Sequence, residues 1–343
     1  MAIKKHSTKK CKNKKKLLKY IFILILIYAF FEIFCVICKE KQTEKEIEKV
    51  INKIGINKKN KQLSWKSIKK DFKNLVNRFK YLIEKETNIP EKSPIWMMWY
   101  QGIQKAPKIV KICFQSVLIN KEKHPVYLLD KHNLNKYIKL PDYIMNKFKR
   151  KIIGYQHFSD IVRTGLLYIY GGYWIDSTYF ITAPLKKVNT NFVSIKPKYC
   201  FTRNHPFIKC LFSINFIGAP KNSFIATYSF ASLLLYWKKY NKIISYFLLD
   251  YIFDIAYKYS GIFKKIIDEH PYTTCGIFAL HRKINNIYKQ SDFHCPYNKL
   301  KKHSKYIQFK KGDKTNYGYM YENYKFNYKN YISYIKKEKK IDI

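Results

Sequence analysis

Four short stretches carry side chains whose types and spacing could do chemistry. Asp176-Ser177-Thr178 closes the aromatic run "GGYWIDST" and offers one carboxylate and two hydroxyls to a divalent cation. Asp160 and Arg163 stand three apart in "FSDIVRTG", so on a helix they share one face. That pair reads as a local salt bridge, worth about 0.3–0.5 kcal/mol when exposed, or as a partly buried pair that also holds hydroxyl groups. Arginine is scarce, five among 67 basic residues, and Ile161, Leu166, Leu167 and Ile169 bury neighbouring faces, which favours the second reading. Trp99-Tyr100-Gln101-Gly102 offers aromatic faces to a base, and a glycine where backbone can approach a ligand. Asp130 ends "PVYLLD" and offers a carboxylate to a ribose hydroxyl or a base edge. A strand-end aspartate is also a common turn former, so Asp130 and Asp176 each keep that second reading. Together the four stretches describe a pocket for a nucleoside diphosphate.

The elements around these residues must bring them together. From Ile95 onward the chain alternates short apolar runs with helical spacing. "IWMMWY", "PVYLLD" and "YWIDSTYF" read as strands. "APKIVKICFQSVLIN" and "FSDIVRTGLLYIYGG" read as helices, the second with Ser159 as its N-cap and Gly171-Gly172 at its C-terminal end. Strand–helix–strand–helix–strand predicts an α/β domain with a mainly parallel sheet. Ligands of such sheets bind outside the carboxyl ends of the strands, where three of the four stretches fall, while Asp160 and Arg163 lie near the N-terminus of the helix before the third strand.

"SPIWMMWYQGIQKAPKIVKICFQS", "HFSDIVRTGLLYIYGGYWIDSTYFITAPL" and the segment from "NFIGAPKNSFIATYSF" to "YIFDIA" resemble the capsular polysaccharide synthesis proteins. These belong with sugar transferases that share an S-D-x-x-R helix followed by G-G-x-x-x-D, with fungal Golgi mannosyltransferases and toxin glucosyltransferase domains as more distant relatives. The resemblance runs from about Ile95 to about Tyr257 and keeps the order of the motifs. It implies a GT-A-like glycosyltransferase fold, a nucleotide-sugar donor, a saccharide or glycan acceptor, and a divalent metal, Mn²⁺ or Mg²⁺. On that resemblance Asp160 and Arg163 match donor-sugar positions. Asp176 matches the first acid of a D-x-D that holds metal and ribose. Trp99, Tyr100, Gln101, Gly102 and Asp130 fall to the nucleotide. Asn215 corresponds to a position facing the acceptor, and a buried turn asparagine is its plain alternative. Thr178 replaces the second acid, as in the D-A-T of the capsular branch, and leaves the metal fewer negative ligands. The resemblance also implies retention of anomeric configuration.

Outside that region the sequence speaks through composition. The formal charge of +44 points at first to nucleic acid. Lysine supplies nearly all of it and is spread along the chain, whereas base and phosphate readers favour the arginine fork, so a specific nucleic-acid partner is not expected. Residues 1–19 form a basic tail. Residues 20–38, "YIFILILIYAFFEIFCVIC", are apolar except for Glu32 and approach bilayer-spanning length. They predict a membrane anchor, single-pass or monotopic, with the side of the membrane left open. Residues 39–88 read as a charged stem whose second half is an amphipathic helix through Trp65, Ile68, Phe72, Leu75, Val76, Phe79, Leu82 and Ile83. Residues 89–316 hold the GT-A-like domain, and 317–343 form a Lys/Tyr-rich tail without a readable role. Cys35 and Cys38 sit in the apolar run without a partner pair at zinc spacing, and the remaining cysteines read as isolated core thiols. The leading reading is therefore a membrane-anchored glycosyltransferase. A membrane-associated basic binding protein on the same fold, with little or no turnover, is its alternative.

Overall fold

A computed structural model describes residues 27, 38, 41–53, 63–85, 87–185, 190–197, 211–272, 276–301 and 314–338. In chain order the strands are β1 (Ile95–Met98), β2 (Val126–Leu129), β3 (Gly172–Ile175), β4 (Tyr179–Ile181), β5 (Val193–Ser194), β6 (Phe216–Ala219) and β7 (Tyr297–Lys299). The helices are α1 (41–53), α2 (Trp65–Phe79), α3 (Lys108–Asn120), α4 (Asp142–Lys149), α5 (Tyr155–Tyr170), α6 (Phe224–Lys239), α7 (Leu248–Tyr259), α8 (Gly261–Glu269), α9 (Ala279–Arg282), α10 (Asn316–Asn323) and α11 (Tyr328–Glu338).

Five strands form the central sheet in the order β2-β1-β3-β6-β5. β2, β1 and β3 run parallel, while β6 runs antiparallel to β3 and to β5. Four strands therefore point one way and one against them, in accord with the mainly parallel expectation. The strands are apolar on both faces because both faces are covered. Successive residues alternate between two cores, as the pleat requires. Trp96, Leu129, Trp174 and Ile217 enter the core built by α2, α5, α6 and α7. Ile95, Met97, Leu128, Tyr173 and Phe216 enter the opposite core with α3, β4, α10 and α11.

The glycine pair sets how α5 feeds β3. Gly171 caps α5 at φ +70°, and its N–H bonds to the Leu167 carbonyl at 2.9 Å. Gly172 follows at φ +92°, and a Cβ there would collide with the Pro94 carbonyl oxygen. The Tyr173 N–H donates to that same oxygen at 2.8 Å, so the close approach is what registers β3 on the sheet. Only glycine satisfies both the backbone angle and the contact.

Several sequence expectations are corrected. α5 starts one turn earlier than predicted, at Tyr155 with Gly154 as N-cap, and Ser159 lies inside the helix. The reason is tertiary: Phe158 stacks on Phe148 at 3.8 Å and the Tyr155 ring lies 5.7 Å from that of Tyr100, which extends the helix ahead of the serine. The amphipathic helix of the stem is not a separate unit. Ile68, Phe72, Leu75, Val76 and Phe79 of α2 are buried in the core shared with α6 and α7. Residues 317–338 of the C-terminal tail are structured as well, since Tyr317, Met320 and Tyr331 pack with Phe114 of α3 in the second core. Cys295 is disulfide-bonded rather than an isolated thiol.

The membrane-anchored placement is also withdrawn. Among the described residues no helix is long and apolar enough to cross a membrane. The run 20–38 itself lies outside the described residues, apart from Ile27 and Cys38.

Replacing Gly172 with alanine should lower stability by about 2 kcal/mol or more, since the residue would hold a strained φ against a backbone oxygen. The check is a shifted urea midpoint with unchanged slope. A midpoint equal to the parent's would remove the glycine pair from the positioning of β3.

Candidate active site

The strand ends open on a cavity of about 780 Å³. Topology gathers its walls at one edge. β1 and β3 are parallel, so the residues after Met98 and after Ile175 emerge on the same side. β6 runs against β3, so the residue preceding it returns to that edge, where the Asp176 N–H donates to the Asn215 carbonyl at 2.9 Å. Trp99, Tyr100, Gln101, Asp160, Arg163, Asp176, Thr178 and Asn215, all singled out from sequence, line the cavity.

Arg163 is the hub. Its Nη1 donates to the Ile214 carbonyl at 2.7 Å and its Nη2 to Asp176 Oδ1 at 2.9 Å. Nη2 also stands 3.4 Å from Asp160 Oδ1, and the guanidinium lies 5.2 Å from the centre of the Trp174 ring. The side chain is 4% exposed, so the chain takes a full charge out of water here and must pair it. One side chain thereby ties α5, the end of β3 and the approach to β6. The pair read from sequence as Asp160–Arg163 is really a bridge whose shorter arm goes to Asp176.

Asp176 is saturated with donors. Besides Arg163, the Trp174 indole donates to Oδ1 at 2.8 Å and Lys299 Nζ to Oδ2 at 2.5 Å. Burial pushes the Asp176 carboxyl up, but Lys299 and Arg163 more than offset this and hold it below the usual carboxylate range. Lys299 arrives through the small antiparallel sheet, in which Tyr179 of β4 pairs with Lys299 of β7.

Sequence reasoning missed both Lys299 and Asp250. Lys299 has no local signature. Asp250 sits in the first turn of α7, 7% exposed, at the cavity wall. Burial first, and then the Asp160 carboxylate, push it up to about 7. The only sequence signal for Asp250 is an acid inside the apolar run "FLLDYIF".

Two residues read as nucleotide ligands do not line the cavity. Asp130 Oδ1 accepts the backbone N–H groups of His132 at 2.8 Å and Asn133 at 3.1 Å, which is the turn-forming role. Gly102, at φ +88°, lies against it, so that an added Cβ would stand 3.7 Å from Asp130 Oδ2. Gly171 and Gly172 sit at the far end of β3 and shape the fold rather than the pocket.

The metal expectation meets this geometry badly. Three donors occupy Asp176, leaving about one of its four or so lone-pair sites. A divalent cation there would stand about 4 Å from the Lys299 ammonium and be repelled by about 8 kcal/mol at an effective dielectric near 20. Thr178 supplies no second charge, and among the described residues no three His, Cys, Asp or Glu side chains gather as a metal site. The residues present do not fit a divalent cation bound through Asp176.

In an α/β sheet of this kind, an aromatic, charge-bearing pocket at the strand ends is where a ligand site is expected. The family model described as "Capsular polysaccharide synthesis protein" matches residues 41–324, and the chain belongs to that family. The match includes α1 and α2, in line with their packing into the common core. Glycosyltransferase activity follows from that membership. A comparison with curated proteins finds no match. Among solved structures the chain is similar to one titled "PaToxG Glycosyltransferase", with 17% identity, 59% of this chain and 81% of that chain covered, and a TM-score of 0.37. That likeness is too distant to carry weight.

Asp250 gives this site a pH signature. Its carboxyl goes from an ordinary value of 3.8 to about 7 on folding, so the folded state holds the proton more tightly. Its contribution to stability is complete below about pH 4 and is lost as pH rises through about 7. Across that window Asp250→Asn should flatten the fall in stability by about 4 kcal/mol. Urea midpoints of parent and variant between those limits provide the check, and parallel curves would refute it.

Proposed function

We propose that the cavity binds a nucleotide sugar and transfers its sugar to a hydroxyl of a saccharide or glycan acceptor, on a GT-A-like fold. The observation that carries this reading is the convergence of Asp160, Arg163 and Asp176 beside the Trp99–Tyr100 wall. The Tyr100 ring is braced edge-on by Phe148 and Phe158, so it offers a preset apolar surface for the base. Asp160 accepts from sugar hydroxyls at the wall, while Asp176 holds Arg163 in place and is not itself the sugar's ligand. Asn215, whose carbonyl accepts the Asp176 N–H, lines the cavity and is assigned to the acceptor side.

The chemistry asks for charge stabilisation. The bond from the anomeric carbon to the phosphate oxygen breaks, and its electron pair leaves on that oxygen. The acceptor oxygen forms the new bond, and its proton passes to the released diphosphate. Negative charge thus grows on the diphosphate while the sugar carbon turns positive. A preorganised cation near the diphosphate lowers the barrier, because it need not reorient during the reaction. The acid-lined wall orients the sugar for attack. Retention of configuration is part of the proposal.

A screen of nucleotide sugars against saccharide acceptors, with the product anomer read by proton NMR, tests this directly. At least one donor should be consumed with retention. No consumption of any donor by folded protein would reject the reading, and an inverted product would reject its stereochemical part. Arg163→Lys should keep the fold yet lower transfer by about 100-fold, because one ammonium cannot reach the Ile214 carbonyl and Asp176 together. Transfer at the parental rate would take Arg163 out of the site.

A further inference from the structure

The misfit with a divalent cation has a counterpart: the chain brings its own cation to the same place. We propose that Lys299, with Lys301 behind it, is a built-in cation site for the donor's diphosphate, and that binding and sugar transfer need no divalent metal. This rests on the nucleotide-sugar reading of the cavity and goes beyond it by assigning the diphosphate subsite to residues of this chain.

The geometry supports it at four points. Lys299 Nζ lies 2.5 Å from Asp176 Oδ2, on the carboxylate that a D-x-D-type metal would occupy. The ammonium has three N–H donors, and Asp176 is its one hydrogen-bond acceptor among the described residues. The remaining donors belong to a side chain that lines the cavity. Lys301 lies two residues on and lines the same cavity. Beyond β7 the pairing continues through the Leu300 N–H to the Thr178 carbonyl at 2.9 Å, so the extended chain puts both lysines on one side. Lys299 is 14% exposed in its side chain and sits at the floor, whereas Lys301 is exposed at the mouth. Ser177 and Thr178, which make no side-chain hydrogen bond among the described residues, offer two hydroxyls beside them.

At the floor of the cavity Arg163 and Lys299 face Asp176 and Asp160, and Lys301 adds a further positive charge at the mouth. Arg163 already pairs Asp176 at 2.9 Å, so Lys299 is a second positive charge on one carboxylate. The other acids at the wall are Asp160, which Arg163 shares, and Asp250, whose pKa is pushed up to about 7. An anion entering between Lys299, Lys301 and the two hydroxyls finds donors already fixed in position. Burial pulls the Lys299 ammonium below its usual range, Asp176 opposes that pull, and in the proposed step the charged ammonium stabilises the oxygen that receives the electron pair. Lysine is suited to this as a compact point charge, where a fork is not required.

The test measures binding of uridine, guanosine, cytidine, adenosine and thymidine diphosphates to the full chain by calorimetry, in EDTA and again in Mn²⁺. One diphosphate should bind in EDTA with a Kd within about twofold of its value in Mn²⁺. Lys299→Gln should weaken that binding by about tenfold or more in both buffers, and Lys299→Arg should recover most of it. Circular dichroism checks that each variant is folded, and the EDTA comparison on the parent stands without any variant. Binding that appears only with Mn²⁺, or Lys299→Gln binding like the parent, would overturn the built-in cation and leave sugar transfer standing. No diphosphate bound in either buffer, with no donor consumed, would bring down both.

Discussion

The Arg163 side chain, 4% exposed and carrying a full charge, is the constraint that organises the strand-end edge of this molecule. A buried cation must be paired and hydrogen-bonded in place, or the cost of removing it from water is not recovered. The structure meets that need from three directions: Asp160 on its own helix, Asp176 at the end of β3, and the Ile214 carbonyl before β6. Each partner lies on a different element, so the ion cluster and the chain path specify one another. The Trp174 ring beneath the guanidinium and its indole N–H on Asp176 add a fourth tie. A cavity with a fixed pattern of charge is the by-product of satisfying one arginine.

The glycine pair makes that cluster reachable. α5 and β3 run in sequence, and only a turn with φ positive at two successive residues brings the strand back under its helix. Gly172 also lets the Pro94 carbonyl come close enough to register β3 beside β1. Arg163 and Asp176, thirteen positions apart, then meet across that return. The aromatic richness of the chain serves the same end, since Trp96 stacks on Tyr127 and contacts Tyr170, locking β1, β2 and the end of α5 together.

What could be read from sequence divides along physical lines. Local periodicity and turn chemistry carried β1, β2, α3 and most of α5, because those signals lie within one element. By contrast "YWIDSTYF", read as one strand, is split by the turn at Asp176–Thr178 into β3 and β4 of separate sheets. The Asp160–Arg163–Asp176 set was legible because its spacing is local and arginine is rare. Asp130 and Gly102 were misassigned because a strand-end aspartate has two roles that look alike in sequence, and here the turn role takes the carboxylate. The start of α5 depended on the aromatic cluster of Tyr100, Phe148 and Phe158, which no window around Ser159 contains. α2 and the tail look like appendages because their apolar faces find partners far away, in α7 and α3.

Lys299 was invisible for a different reason. Lysine makes up all but five of 67 basic residues, so no single one stands out, and its partner is 123 positions away. Its meaning comes from register: Tyr179 faces Lys299 across β4 and β7, which delivers an ammonium to a carboxylate already paired with Arg163. Arg163 and Lys299 are matched within the cluster by Asp176 and Asp160, so the further positive charge at the cavity is that of Lys301, which a compositionally lysine-rich chain can supply without special selection for a motif. Thr178 and Lys299 line the same cavity, the one without a carboxylate and the other with an ammonium on Asp176. Removing a negative ligand weakens any hold on a divalent ion, and adding an ammonium supplies charge at the same point. On the proposal made above, the positive charge that a departing diphosphate demands is supplied by a side chain of the chain itself.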